Sequence, residues 1–236
     1  MGLITTICLG LLFVWYVIPY VIKKLNQHLL RNRCRTRRLI SLTYDDGPSA
    51  VLSAKLIDLL AEYNAKASFF ILGHKFQSAG HVVETIVQAG HEIGSHSFCH
   101  LNAWKRSPLA VYRDIKQGLI LTSAVASSRL FRPPHGKATI ATMAQIFMSN
   151  TRHAWWSIDS SDTWTTPMPV ERVIARIKRE GGGVILMHDH DRPNSPEREE
   201  YVLELTRTIL ELARKEGFSI CRMGEIYAED RRAILH

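Results

Sequence analysis

The chain has 236 residues, 46% of them apolar, which suits one folded domain of α/β size and is too apolar for a disordered segment. Its formal net charge is +8, yet residues 1–38 carry seven basic side chains and no acidic one, so the rest holds 23 basic against 22 acidic and is nearly neutral. That distribution argues against a nucleic-acid-binding face, and four cysteines without CxxC spacing (Cys8, Cys34, Cys99, Cys221) argue against a zinc knuckle or a disulfide framework.

Residues 3–22 are uncharged. As a helix they would span about 30 Å, the hydrocarbon thickness of a bilayer. Trp15, Tyr16 and Tyr20 gather toward the C-terminal end, where an interfacial aromatic belt is expected. A cleaved signal peptide would want a basic residue before the apolar run and small residues after it, and the sequence has neither. The expectation is a transmembrane anchor over 1–22 and a basic juxtamembrane linker over 23–38. All nearby positive charge follows the span, so the positive-inside rule predicts a cytoplasmic catalytic domain over 39–236.

Beyond the linker, apolar runs alternate with amphipathic stretches. Strands are predicted at 39–43, 67–72, 92–95, 130–131, 154–158, 184–187 and 218–222. Helices are predicted at 51–63, capped by Ser49, and at 81–89, 109–124, 139–149, 170–179 and 197–216. Gly90, Gly181 and Gly217 mark helix ends. Such alternation implies a parallel sheet with crossover helices, able to close into a barrel.

Polar clusters stand where strands end, the arrangement by which an α/β barrel builds an active site at its C-terminal face. Asp45 and Asp46 precede a Gly47-Pro48 turn, so one carboxylate can bind a metal while the other remains a base. His96 and His100 have metal-ligand spacing if a helical turn carries them, and with Asp46 they make a two-His, one-carboxylate set suited to zinc. Arg132, before Pro133-Pro134-His135-Gly136, can pair with Asp45, and the His135 amide can face a developing oxyanion. His188 at a strand mouth can serve as a general acid, with Asp162 or Asp159 tuning it, and Leu186 can line a small acyl pocket.

Taken in order, Thr43-Tyr44-Asp45-Asp46-Gly47-Pro48, His96-Ser97-Phe98-Cys99-His100, Arg132-Pro133-Pro134-His135-Gly136, Asp162 with Trp164, and Leu186-Met187-His188-Asp189 resemble the five motifs of the NodB-homology polysaccharide deacetylases, carbohydrate esterase family 4. The resemblance covers about residues 38–228. It implies a deformed (β/α)7 barrel, here preceded by the membrane-anchor helix, and metal-dependent hydrolysis of N-acetyl groups on an amino-sugar glycan or glycolipid. By carry-over, Asp46, His96 and His100 are the metal ligands, with zinc the expected ion. Asp45 is the general base, Arg132 orients it, and His188 is the general acid tuned by Asp162. His135, Trp164 and Leu186 contact substrate. Two positions depart from the pattern: His135 stands where the family has Tyr, and Thr163 separates Asp162 from Trp164.

With a cytoplasmic domain, the substrate is expected to be a lipid-linked sugar or nascent oligosaccharide. With an external one it is expected to be peptidoglycan or exported polysaccharide. A non-enzymatic glycan-binding module is the competing class, and an intact set of metal and acid/base residues weighs against it.

Overall fold

The computed structural model describes residues 2–190 and 195–233. Met1, the Cys8 side chain and residues 234–236, to which the expected anchor and domain extend, lie outside the described residues. Among the described residues, eight strands form one sheet: β1 (Leu39–Gly47), β2 (Ser68–Ile71), β3 (Glu92–Ser95), β4 (Leu130–Phe131), β5 (Arg152–His153), β6 (Ile158–Asp159), β7 (Gly183–His188) and β8 (Ser219–Ile220). The path runs β5-β4-β3-β2-β1-β7-β6, all pairings are parallel, and β8 pairs with the start of β1. This curled sheet with its helices is the expected deformed (β/α)7 barrel.

Alternation along β1 explains the layering. Ile40, Leu42 and Tyr44 point outward into the main apolar layer. There they meet Leu56 and Leu60 of α3 (Leu52–Glu62), Ile177 of α8 (Val170–Glu180) and Leu205 and Ile209 of α9 (Pro196–Glu216). Ser41, Thr43 and Asp45 alternate with them and face inward, in register with Val184, Leu186 and His188 of β7. Phe70 of β2 is in register with Asp45 and so shares that interior. The remaining crossovers are α5 (Gly80–Gln88), α6 (Pro108–Ser123) and α7 (Ile140–Met148), with a short α4 (Gly73–Ser78) and a terminal α10 (Met223–Ala233) that periodicity did not reveal.

Three expectations change. Residues 154–158 are not one strand: β5 ends at His153 and β6 begins at Ile158, so residues 154–157 step across the barrel opening between the two sheet ends. Ser49 caps α3 from outside the N-cap position. Val51 holds that position without a side-chain cap, while the Ser49 hydroxyl accepts from the first-turn Ser53 amide at 2.9 Å and donates to Asp189 at 2.7 Å.

The third change is at the N-terminus. α1 (Gly2–Leu12), a π-helical segment (Phe13–Val17) and α2 (Ile18–Arg37) form one helical run, and Thr5–Arg37 is long and apolar enough to cross a membrane by length and composition. The basic segment 23–38 is therefore helical down to Arg37, and it is part of the domain. Leu30 and Cys34 are buried among Leu39, Phe70, Ala154, Trp155 and Val184. Arg31 pairs with Glu180 at 3.0 Å. Lys24 and Arg38 are exposed, while Lys23, Arg31 and Arg35 reach back to the barrel, so charge lies on both sides of the narrow buried stripe and composition alone reads as a linker. The described cysteines, Cys34, Cys99 and Cys221, are free thiols.

Candidate active site

The functional side chains collect at the C-terminal ends of β1, β3, β4, β6 and β7. Asp45 is buried on the inner face, and Asp46 follows it with a left-handed backbone, φ 67°. That twist turns two successive carboxylates toward the same space, where a regular strand would send them to opposite faces. Gly47 is required there, since a Cβ would strike the Asp189 carboxylate 2.6 Å away.

Arg132 is fully buried. Its Nη1 donates to Asp45 Oδ1 at 2.7 Å and to Thr43 Oγ1 at 2.8 Å, its Nε donates to the Ala154 carbonyl at 2.9 Å, and its guanidinium lies 4.0 Å from the Phe70 ring centroid. A buried charge held by one carboxylate, two neutral acceptors and an aromatic face fixes the orientation of that carboxylate. The expected Arg132–Asp45 pair is thus present.

His96 and His100 do come together, but not on a helix. The 96–100 segment is a tight irregular turn with Ser97 at φ 69° and His100 at φ 60°. The Ser97 hydroxyl accepts from the His100 amide at 3.1 Å. α6 packs Gly118 directly on the Ser97 backbone, so any side chain at 118 would displace the turn.

The donor set fits a divalent cation. His96 Nδ1 lies 2.7 Å from the Arg132 carbonyl, which can only accept, so Nδ1 carries the proton and Nε2 keeps its lone pair. That Nε2 is 3.2 Å from His100 Nε2 and 3.5 Å from Asp46 Oδ1, and His100 Nε2 is 3.3 Å from the same oxygen. Ligand atoms about 2.0–2.1 Å from a tetrahedral centre lie about 3.3–3.4 Å apart, so the three donors match the face of such a site. Asp46 Oδ1 is buried and has no hydrogen-bond partner, as expected of an oxygen reserved for a cation. Burial pushes the Asp46 carboxyl up, but His96, His188, His100 and His190 around it outweigh burial and hold it at about 2. Burial, then the neighbouring His96, pushes His100 down to about 3, which keeps a lone pair available for a metal.

Across the mouth, His188 sits in register with Asp45. Its Nδ1 lies 2.8 Å from Asp162 Oδ1, and its amide donates to Asp162 Oδ2 at 3.0 Å. Asp162 is fully buried and also accepts from the Ser160 hydroxyl. Burial alone would lower the His188 pKa, but Asp162, with smaller help from Asp45 and Asp46, raises it to about 9. Asp159 is occupied otherwise, accepting from the Ser161 amide at 2.8 Å, so the geometry selects Asp162 as the histidine's partner.

Leu186 is buried on the inner wall, in register with Thr43. His135 has φ 55°, and its exposed ring lies tilted at 52° to that of His100, the centroids 4.3 Å apart. Trp164 is 63% exposed at the rim. Sequence reasoning missed His190, whose Nδ1 is 3.8 Å from Asp46 Oδ2, and Asp189, which the hydroxyls of Ser49 and Ser53 hold against the base of the Asp46 turn. The alternation of His188, Asp189 and His190 past the end of an apolar strand was the available signal.

A sequence model described as polysaccharide deacetylase matches residues 32–149. The chain is 30% identical over 194 residues to a peptidoglycan-N-acetylglucosamine deacetylase of Bacillus cereus, covering 80% of this chain and 88% of that protein. It is 28% identical over 202 residues to the peptidoglycan-N-acetylglucosamine deacetylase PgdA of Listeria monocytogenes, covering 84% of this chain but 40% of that longer protein. Among solved structures, the Bc1960 peptidoglycan N-acetylglucosamine deacetylase superposes with a TM-score of 0.71 at 23% identity, over 81% of this chain and 89% of that one. BA3943, a CE4 family pseudoenzyme of Bacillus anthracis, superposes with a TM-score of 0.69 at 20% identity, over 83% and 67%.

Proposed function

This chain belongs to the polysaccharide deacetylase family, and from that premise we propose that it is a metal-dependent hydrolase that removes N-acetyl groups from an amino-sugar glycan or glycolipid. The observation that carries the reading is the complete constellation at the strand mouths. Asp46, His96 and His100 converge as metal donors, while Asp45 on Arg132 and His188 on Asp162 face each other as a base and an acid with opposite charge. A pseudoenzyme shares the fold, so the fold alone does not imply turnover.

The ion, zinc in our reading, would be held by Asp46, His96 and His100 and would supply Lewis acidity to the acetyl carbonyl and to water. Asp45, held in place by Arg132, takes a proton from the attacking water. The oxygen of that water bonds to the acetyl carbon, and the backbone amide of His135 donates to the oxygen on which charge develops. His188 enters protonated and gives its proton to the departing nitrogen as the C–N bond breaks, leaving a free amine and acetate. Leu186 walls the acetyl methyl, and Trp164 offers a ring face to the sugar.

Membrane anchorage through the N-terminal helix and a cytoplasmic domain complete the proposal, on the strength of the uncharged run and the seven basic residues that follow it. The relatives named as peptidoglycan deacetylases favour a second reading, an external domain acting on peptidoglycan. Reporters fused after His236, one active in the cytoplasm and one outside, separate the two. The chemistry is tested by acetate release from N-acetylated chitooligosaccharides. Chelation should abolish release and Asp45→Asn should lower it by orders of magnitude, and release unaffected by both would sink the proposal.

A further inference from the structure

The N-terminal helix does more than precede the barrel. It runs against it, antiparallel to the strands. At the rear, Arg35 lies against Gly181 just before β7, and the Cys34 carbonyl lies 3.3 Å from where a Cβ on Gly182 would sit. Two turns earlier, Gln27 Nε2 donates to the Trp156 carbonyl at 2.9 Å, in the segment that steps across the barrel opening. One turn earlier again, Lys23 Nζ donates to the Gly136 carbonyl at 2.8 Å, in the loop after β4 that carries His135. Higher still, Tyr16 meets Trp104 edge to face, ring centroids 5.5 Å apart, in the loop after β3 that follows His100. The helix therefore fills the opening and leaves through the catalytic face.

That path fixes where a bilayer can lie. Residues 16–22, the last two turns of the uncharged run, are alongside the catalytic loops and not beyond them. The part that projects free of those loops, Gly2 to Phe13, is about 18 Å long at 1.5 Å per residue, well short of a hydrocarbon core of about 30 Å. The run can enter a bilayer to its full apolar length only if the rim is drawn into the headgroup layer. The rim suits that depth. Trp104 is 39% exposed and Trp164 63%, and Lys137 lies 4.1 Å over the Trp104 ring. Lys24 and Lys105 add positive charge at the same level. Aromatic rings and cations together are what an anionic headgroup layer accommodates.

We propose that the helix holds the catalytic face against the membrane surface, and that the substrate is an N-acetylated amino sugar carried on a membrane lipid and deacetylated at headgroup depth. The substrate class rests on the deacetylase reading above, whereas the placement does not. The inference holds on either side of the membrane, because the helix leaves the same face of the barrel in both topologies. A long glycan strand approaching from bulk solvent would meet a mouth turned away from it.

The test uses the full chain in vesicles of equimolar phosphatidylcholine and phosphatidylglycerol. A photoreactive p-benzoylphenylalanine replaces either Lys105, on the rim, or Lys215, exposed near the end of α9 at the rear. Lipid adducts at 105 and none at 215 are expected. Adducts at both positions, at 215 alone or at neither overturn the placement. In the same vesicles, acetate release from N-acetylglucosamine on a polyisoprenyl diphosphate should exceed release from free N-acetylchitotetraose at equal concentration by about tenfold or more, because the surface confines substrate next to the mouth. Equal or slower release from the lipid-linked sugar overturns the substrate class. Failure of both sugars to release acetate sinks the deacetylase reading instead, and the crosslinks still decide the placement.

Discussion

The two ends of the barrel use left-handed backbone for opposite purposes. At the rear, five helices stop with one device, and α2 ends on a left-handed Arg38 of its own. Asn64, Gly90, Asn150, Gly181 and Gly217 all have positive φ, and in each case the next amide bonds back to a carbonyl five residues earlier, as in Ala65 to Leu60 and Thr151 to Ile146. Glycine and asparagine are the residues that tolerate this conformation at least cost. At the front, the left-handed residues are Asp46, Ser97, His100, His135, Gly136 and Ser161. Only Gly136 is a glycine, none is an asparagine, and each sits within a catalytic motif or beside a residue of one. The rear spends its conformational freedom on ending helices. The front holds side chains in sparsely populated backbone wells because their atoms are needed at one point, so strain and chemistry coincide there.

Mutations that separate chemistry from folding should divide the molecule along the same line. The largest effect is expected from His96→Ala. It removes a metal donor whose Nδ1 also ties the turn to the Arg132 carbonyl. Bound metal, read by elemental analysis of the purified protein, should fall to near zero, and acetate release should fall to background. Metal retained at full stoichiometry would mean that the three-donor set is not the site. Next, Asp45→Asn should lower kcat/KM by about 10²–10⁴-fold, the usual range for loss of a general base, while metal content and circular dichroism stay unchanged.

The same division governs what could be read from sequence. Rear and core follow local rules: alternation in β1, heptad-like leucines in α3 and glycine stops were sufficient to place most elements within a residue or two. The site residues were legible as an ordered set of motifs, but their geometry was not. A four-residue spacing suggested a helical turn for His96 and His100, whereas a Ser97 hydroxyl and the Gly118 contact from α6, both set by tertiary packing, make a different turn of them. Asp159 and Asp162 were equal candidates until the Ser161 amide claimed one and His188 the other. The packed helix was the least legible element. Its buried side chains are Pro19, Leu30 and Cys34, with a few polar contacts to the barrel, too narrow a stripe to stand out against the arginines around it.

A third prediction probes the acid. His188 holds its proton up to about 9, against 6.5 for an ordinary imidazole, because Asp162 outweighs burial. The pH profile of kcat/KM should therefore keep its protonated-acid limb until about pH 9. Asp162→Asn removes the dominant raising partner, so that limb should move toward neutral pH and kcat should fall at pH 8. A limb that stays in place would assign the alkaline transition to another group. The same raised pKa makes protonated His188 a contributor to folding stability that is fully present below about pH 6.5 and is lost as pH rises through about 9. Asp162→Asn should flatten that part of the stability profile.

The smallest effect is expected at the rear, and it tests the comparison most directly. Asn150 is exposed, has φ 49° and follows α7, so its backbone conformation is its main structural demand. Asn150→Ala places a Cβ without a compensating polar side chain in the left-handed well and should cost about 1 kcal/mol. For a chain of this size that is a fall in Tm of about 2–4 °C. Asn150→Gly should be close to neutral, since glycine meets the same backbone demand at the price of some unfolded-state entropy. Neither variant should change kcat/KM or metal content, because the bonds that shape the site run through α6, β1 and β7 and not through the end of α7. A loss of activity in Asn150→Ala larger than its loss of folded protein would show that strain at the two ends of the barrel is coupled, and the separation drawn above would fail.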